Sequence, residues 1–555
     1  MPAAKRSKEP RAIAQDVVAQ MQRAWGESPF YQAQLKGPAP DRLLFQPSDP
    51  RSPDPAIAEA LFKGKISIGA ETLDCEGEIE RVFDLAKPGP LHTFLHDFSW
   101  LRHAGALGER AAHPARTLAR AWLERCEKWS PEAWTPYLTG ERLTHLCAHG
   151  AMLLKGGDAL WRSRILSSMA RQTRHLARAG HRAATGYERL MTAAGLALAG
   201  LCLPGCEDEH ERGLELLRRE LRLQVRPDGG HVGRNPSEQL AMVVRLQMIA
   251  AALEARRKPA PGFLRHVIGR AAANVLFFRA ADGLLAVFNG GYEDDAKTVL
   301  SVVQSVDPDA APPGFARHSG FQRLESGRAL VIADASTPRA GGRFEGAGSF
   351  HFSSGRARIV VNCGNGAHLS PEWGKALRQA AAHSTLSAEP ASAFLLSGGA
   401  ATHRRAEDVR GQLLEIERAF IAGDPESPRY IRRFFLAAGG DNLRGEDQFI
   451  AAPPALAGAW RLRFHLHPSV KASLARDRRS VILSLPNREG WRFRTNSPVI
   501  TLERSVYCGG GGLPAAAEQI VLAPSGLEAG EGSDMIVKWA FRRLDGAWSS
   551  EGKGA

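Results

Sequence analysis

No stretch of this 555-residue chain holds about 18 consecutive apolar residues, so no membrane-spanning helix is expected. No export signal is expected either. Lys5, Arg6, Lys8 and Arg11 lead into a segment, Ala12 to Trp25, that is broken by Gln15, Asp16, Gln20, Gln22 and Arg23. A signal peptide needs an unbroken apolar run there, so a cytoplasmic location is expected. Cysteine is sparse. The seven thiols, Cys75, Cys126, Cys147, Cys202, Cys206, Cys363 and Cys508, are odd in number and lack paired metal spacing. They read as reduced, mostly buried side chains in a reducing compartment. Six tyrosines in the whole chain leave no interleaved aromatic and basic motif, so a nucleic-acid partner is not expected. No strict repeat period runs through the chain, which argues against a regular repeat array.

What is present is ordinary for a globular protein except in charge. The net charge is +13 and the pI near 9.6, which favours anionic partners: acidic polysaccharide, nucleic acid or an anionic membrane face. The excess is mostly arginine, scattered rather than run together, and arginine suits bidentate capture of carboxylate or sulfate. At this length a single core is excluded and two or more domains are expected.

Hydropathy patterning divides the chain. Residues 1–87 read as an N-terminal arm, with a short helix near 12–25 and a Pro-rich extended part from Pro38 to Pro55. Residues 88–281 read as helical. Leu118, Ala121 and Trp122 recur at helical spacing, as do Leu214, Leu217 and Leu221. Helices of about 12–20 residues joined by short turns imply antiparallel neighbours, and six or more in a row point to a solenoid or an α/α toroid. Residues 282–548 read as an antiparallel β-sandwich, opening at Leu284–Asn289, with hairpins at 349–361 and 481–494. Trp460, Leu462, Phe464 and Leu466 alternate with Arg461, Arg463, His465 and His467, which predicts a half-buried strand with one basic face. Residues 549–555 are expected to be a disordered tail.

The segment Asp228 to Gln239, DGGHVGRNPSEQ, lies between two helical patterns. Asn235, Pro236, Ser237 and Glu238 fit N-cap, N1, N2 and N3 of the following helix, a capping box. Glu238 is therefore a cap residue or, if burial raised its pKa, a candidate base. Arg234 is a candidate carboxylate or sulfate clamp or else a solvated surface arginine, and His231 is open between a structural and a functional role. Asn289 to Asp295 is acidic and Gly-rich but lacks EF-hand spacing, so a domain-joining turn is expected.

Several segments together resemble the heparinase II/III-like polysaccharide lyases, in particular bacterial members without an export signal. They are residues 98–102, 134–140, the 228–239 loop, 288–292, Ala382–Leu386 and Phe464–Pro468. The resemblance implies an α/α toroid followed by a β-sandwich, and a cell-envelope or periplasmic location as the alternative to the cytoplasm. It also implies β-elimination on a uronate-containing glycan in the inter-domain cleft. That reaction needs a base for the C5 proton, a stabiliser for the carboxylate and an acid for the leaving oxygen.

Carried over residue by residue, the family pattern is altered. The loop tyrosine of the family aligns with Glu238, and the toroid asparagine with Tyr187. The stretch that carries histidines in the family reads Gly342 to Phe350 without them, and a zinc-binding aspartate appears as Asn362. His383 alone matches, so no metal and no cofactor are expected. The candidate catalytic residues are His383, His231, Tyr187 and Glu238. The candidate substrate-binding residues are Arg234, Arg378, Asn235, Arg463, His465 and His467. Two functions follow: a lyase on an acidic polysaccharide or oligosaccharide, or a non-catalytic acidic-glycan-binding or cell-envelope-related protein that kept the fold and lost the catalytic set.

Overall fold

A computed structural model of the chain describes residues 20–21, 23–304, 311–337, 344–388, 401–419, 429–450, 460–523 and 535–544. The expected helix near 12–25 lies mainly outside the described residues, and the tail at 549–555 wholly so. Contacts divide the chain into two units. One is Met1–Gln224 with Val244–His266, and the other is Val225–Val243 with Val267–Ala555. The Asp228–Gln239 loop, flanked by helices in sequence, therefore belongs with the β unit.

In the helical unit, an α/α toroid, the long helices are Ala112–Cys126, Pro136–His149, Ala159–Ala179, Tyr187–Cys202 and Glu207–Gln224. Local signals start them: Asp158 caps with its carboxylate on the Trp161 N–H (2.7 Å), and Pro136 takes a first-turn position. Tyr187–Cys202 is buried continuously from Leu190 to Cys202. Such a helix must be apolar on every side, and its composition meets that. Small residues let its neighbours close in. A Cβ on Gly195 would stand 2.5 Å from the Gly140 carbonyl oxygen, and one on Gly213 would stand 2.5 Å from the Ala197 nitrogen. The Pro-rich arm runs extended over this unit, as its composition implies. Leu44 N–H donates to the Cys202 carbonyl, the Gln46 amide to the Ala148 carbonyl, and Arg174 to the Pro38 carbonyl.

The β unit is an antiparallel sandwich. Among the described residues one sheet runs, in hydrogen-bonded order, Val499–Tyr507, Ala515–Ala523, Trp460–Leu466, Ala357–Val361, Phe350–Ser354, Ala329–Asp334, Phe321–Ser326 and Phe315–Ala316. Leu386–Ala388 pairs beside Trp460–Leu466. The other runs Lys471–Leu474, Ser480–Ser484, Gly490–Thr495, Met535–Arg543, Asn442–Ile450, Arg429–Ala437, Gly411–Ala419 and Ala401–Asp408. Aromatic side chains from both sheets fill the space between them. Phe350 stacks on Trp539 at 5.7 Å, Phe464 meets Phe493 at 5.1 Å, and Phe352 meets Trp491 at 5.3 Å.

Two sequence expectations fail here. Leu284–Asn289 is not a strand. Leu285 makes one isolated bridge to Arg279, a helix Ala296–Gln304 follows, and the sandwich begins at Phe315. The run was too short to separate a strand from an irregular buried segment by periodicity. Nor does Trp460–Leu466 present a basic face to water: Arg463 and His465 are buried along with the apolar side. The outer face of this sheet is covered by the chain around 277–293, which supplies partners for its polar groups. Arg323 donates to the Phe277 carbonyl, and Arg358 to the Asp282 carboxylate and the Leu285 carbonyl.

Candidate functional site

The Gly-rich loop is built as a fixed scaffold. Asp228 accepts from the backbone N–H groups of His318 and Ser319 and from the Ser319 hydroxyl. Gln239 reaches back, accepting from the His231 N–H (2.7 Å) and donating to the Gly229 and Ala271 carbonyls. Asn235 Oδ1 accepts from Ser237 N–H (2.9 Å) and Glu238 N–H (3.2 Å) and so caps Pro236–Ala255. This is what Asn-Pro at a helix start does physically, because it satisfies N–H groups that have no intrahelical partner. The Glu238 carboxylate turns toward His231, with 3.7 Å from Oε2 to Nδ1. Both crowd Gly233, where a Cβ would stand 2.7 Å from Glu238 and 2.9 Å from His231.

Arg234 is in the left-handed region (φ 56°) and points at the sandwich. Its Nη2 donates to Asp334 Oδ1 (2.5 Å), its Nε to the Ser319 carbonyl (2.9 Å), and its guanidinium lies 4.3 Å over the Phe321 ring. Burial alone would raise the Asp334 carboxyl. Arg234, then the Ser336 N–H and Arg418, outweigh burial and hold it below the ordinary carboxylate range. Arg234 is therefore an anchor of the loop with one side facing a cavity of about 290 Å³. Arg226, Ser319, Thr337, Phe344 and His403 share that lining, and the size fits about one sugar ring.

His383 stands behind that lining. It is 1% exposed, packed edge-on against Phe344, and a Cβ on Gly346 would touch its Nδ1 at 2.9 Å. Neither ring nitrogen has a hydrogen-bond partner among the described residues. Burial lowers its pKa to about 4 against the opposing pull of Asp334, so the imidazole is neutral at pH 7. A general base must come within about 3 Å of the proton it takes. At this burial His383 does not meet a polymer.

Two arginines that sequence reasoning did not single out complete this region. Arg418 donates to the Asp334 carbonyl, and Arg432 to the carbonyls of Gly348 (2.9 Å) and Ser384 (3.2 Å). Arg432 also lies 3.4 Å from Asp447, which takes hydrogen bonds from the Tyr430 hydroxyl and the Trp539 indole. Asp334, Arg418 and Arg432 sit in strands with no local motif. Apart from Asp447 beside Arg432 and Ser336 beside Asp334, their partners lie about 50–100 residues away, so only a charged residue at an otherwise apolar position could have flagged them.

The remaining sequence candidates are dispersed. Arg378 is exposed, and its carbonyl accepts from the Glu345 N–H. Arg463 is buried and its guanidinium donates to the Ser387 hydroxyl, which is a packing role rather than a substrate contact. His465 is also buried, with Nδ1 against the Ser505 hydroxyl (2.7 Å) and Nε2 against the Ala381 carbonyl (3.0 Å). Burial lowers its pKa to about 3. His467 lies at the strand end, with Nδ1 on Ser469 and Nε2 3.4 Å from Glu293. The two strand histidines thus have separate partners. Tyr187 opens its helix after Gly186 (φ 94°) in the helical unit, half-buried and in the electrostatic neighbourhood of Arg51 and Tyr137.

The zinc that some family members hold does not fit these residues. Asn362 stands at the aspartate position, its amide donating to the Val287 carbonyl and its oxygen accepting from Ser384 N–H. Among the described residues no group of three or more His, Cys, Asp or Glu is arranged to hold a metal.

The toroid and sandwich define a class, the polysaccharide-lyase fold. The structure matches that of heparinase III with a TM-score of 0.69 at 14% identity, covering 97% of this chain and 91% of that one. A mutant of the heparan sulfate lyase HepC from Pedobacter heparinus matches with a TM-score of 0.61 at 14% identity, again covering 97% and 91%. The family model "Heparinase II/III-like, C-terminal" matches residues 308–540. The chain belongs to the heparinase II/III-like family. Within it, the chain is similar to FtsZ-localized protein C of Caulobacter vibrioides (strain NA1000 / CB15N). The two are 30% identical over 547 residues, 92% of each.

Proposed function

We propose that this protein binds an acidic glycan without cleaving it, and works at the cell envelope in association with FtsZ-containing assemblies. The fate of the family's catalytic positions carries the reading. The loop tyrosine is Glu238, turned toward His231 just inside a capped helix start. The zinc aspartate is Asn362, held by two backbone groups. His383 survives but is enclosed. The cavity beside it keeps Arg226 and Arg234 on its wall, together with hydroxyls from Ser319 and Thr337, a lining suited to a carboxylate on a sugar. The association with FtsZ is carried over from the name of the Caulobacter relative.

The test has two arms. Titration of oligouronates into the protein should give binding that weakens at least tenfold in Arg234→Gln, with the protein still folded. A fluorescent fusion in the native cell should follow FtsZ. Oligouronate binding unchanged by Arg234→Gln would remove the cavity from the account, and a diffuse fusion would remove the division-site role.

The opposing reading, β-elimination, draws on one observation. His383 is neutral at pH 7 and beside the Asp334 carboxylate, a state from which an imidazole accepts a proton.

A further inference from the structure

The outward face of the sheet containing Gly490–Thr495, Met535–Arg543, Asn442–Ile450 and Arg429–Ala437 carries charge in three rows, each fixed by strand register. One row is Lys538, Glu446, Arg433 and Glu415. Its signs alternate, and its members pair: Arg433 with Glu446 at 2.5 Å and with Glu415 at 2.6 Å, and Lys538 with Glu446 at 3.6 Å. The next row is Arg494, Ala540, Arg444, Phe435 and Leu413, and the one after it Arg492, Arg542 and Asn442. These two rows hold four arginines and no carboxylate, and none of the four has an ion pair among the described residues. Arg444, Arg494 and Arg542 are exposed, and Arg492 Nε is enclosed without an acceptor. Like charges side by side in a sheet oppose pairing. The first row shows that this sheet can balance its charge, and the two others do not.

The face is also concave. A cavity of about 540 Å³ is lined by the apolar Leu413, Phe435 and Ala540, by Arg444 and Arg494, and by Arg433 and Lys538 with their shared partner Glu446. A second, of about 300 Å³, is lined by Arg444, Arg492, Arg494, Arg542 and Arg543. All of these residues lie on the second sheet, apart from the cavity at Arg234.

We infer that this face is a docking site for an acidic peptide segment, extended, with an apolar side chain among its carboxylates. The spacing matches. Cations two residues apart on a strand stand about 7 Å from each other and those on neighbouring strands about 5 Å, the repeat that alternate side chains of an extended peptide present. Arginine takes carboxylates in bidentate geometry, and the apolar lining takes one apolar side chain. Other polyanions fit less well. Nucleic acid uses exposed aromatic platforms for its bases, and here Phe435 is half-buried with Arg444 5.8 Å over it, and Trp539 is buried. A bilayer is flat, whereas this surface is hollowed. The inference does not rest on the glycan reading above, because it uses none of the residues of that cavity.

The experiment is fluorescence anisotropy with the full chain and a labelled ten-residue peptide of Glu and Asp around a central Leu. A peptide with the same charge but Ser in place of Leu is the second probe. The expected results are saturable binding that weakens steeply with salt, at least tenfold loss in Arg494→Glu/Arg542→Glu, and a smaller loss for the Ser peptide. Arg410→Glu, an exposed arginine paired with Asp408, controls for net charge and should change little. The melting temperature of each variant reports on folding. Heparin oligosaccharides and anionic vesicles form the remaining arms. Peptide binding unaffected by the double variant overturns the site. Binding of oligosaccharide or vesicle, but not peptide, lost in the double variant keeps the patch and overturns its occupant. Oligouronate binding lost in Arg234→Gln but kept in Arg494→Glu/Arg542→Glu separates this face from the cavity.

Discussion

The polar interiors of the two units are built differently. In the helical unit, the buried charges of Asp49 and Arg142 are met by charged or polar partners. Asp49 of the extended arm is fully enclosed and takes hydrogen bonds from Arg51 (2.7 and 2.8 Å) and His149 (3.2 Å). Arg142 is satisfied by Gln172 and the His96 carbonyl at 2.7 Å each and lies 4.4 Å over Trp122. In the β unit the Asp334 carboxylate pairs with Arg234, the Asp334 backbone carbonyl accepts from Arg418, and His383 next to it bonds to no described residue. A closed network fixes a fold. An open one beside a cavity is where a ligand's polar groups have partners to meet. That difference places the candidate site in the β unit although Tyr187 and its charged neighbours lie in the other.

The largest expected effect tests the Arg234–Asp334 pair. Asp334→Ala leaves Arg234 without its counter-charge and strips Arg418 of a nearby anion. Removing one partner of a buried pair costs about 3–5 kcal/mol, and denaturant unfolding should show it. Asp49→Asn, in the closed network, keeps the shape and part of the hydrogen bonding. Its cost should be about 1.5–3 kcal/mol, the range for hydrogen bonds to a charged group. Equal costs for the two would erase the contrast between the units.

Acid sensitivity sharpens it further. His383 has a folded pKa of about 4 against an ordinary value of 6.5. The unfolded chain therefore binds the proton first, and the stability this group contributes is present above pH 6.5 and lost as pH falls toward 4. In the helical unit His96 and His103 behave the same way, with burial lowering their pKa values to about 3 and 4. Asp97 opposes them. Burial raises its pKa to about 7, so its contribution is present below pH 3.8 and lost as pH rises through 7. His383→Asn should flatten the stability-versus-pH curve between pH 6.5 and 4, and Asp97→Asn should steepen it. The smallest effect belongs to Asn235→Ala, which removes the helix cap at a cost of about 1 kcal/mol, readable as a small shift in melting temperature.

Much of the fold was legible because it rests on local signals. The hairpin at Ser353–Arg356, the hairpin between Ser480 and Thr495 and the cap at Asn235 are turn and cap chemistry written in a few adjacent residues. The alternation at Trp460–Leu466 marks a strand but not its burial, because the groups that enclose Arg463 and His465, at Ser387, Ala381 and Ser505, lie 76, 84 and 40 residues away. Arg234 stood out as a clamp, yet its partner Asp334 is 100 residues on. His383 and Glu238 were legible as family positions. Their enclosure was not, since it depends on Phe344, Gly346 and Gly233 packing around them.

The measurement that bears most directly on the central claim is ultraviolet absorbance during incubation of the purified protein with uronate polymers and oligosaccharides. β-Elimination leaves an unsaturated uronate that absorbs where the intact glycan does not. The expected result is a flat trace across the panel from a protein that still binds an acidic oligosaccharide and loses that binding in Arg234→Gln. A rise on any one substrate, abolished in folded His383→Asn, would contradict the account and make the chain a lyase.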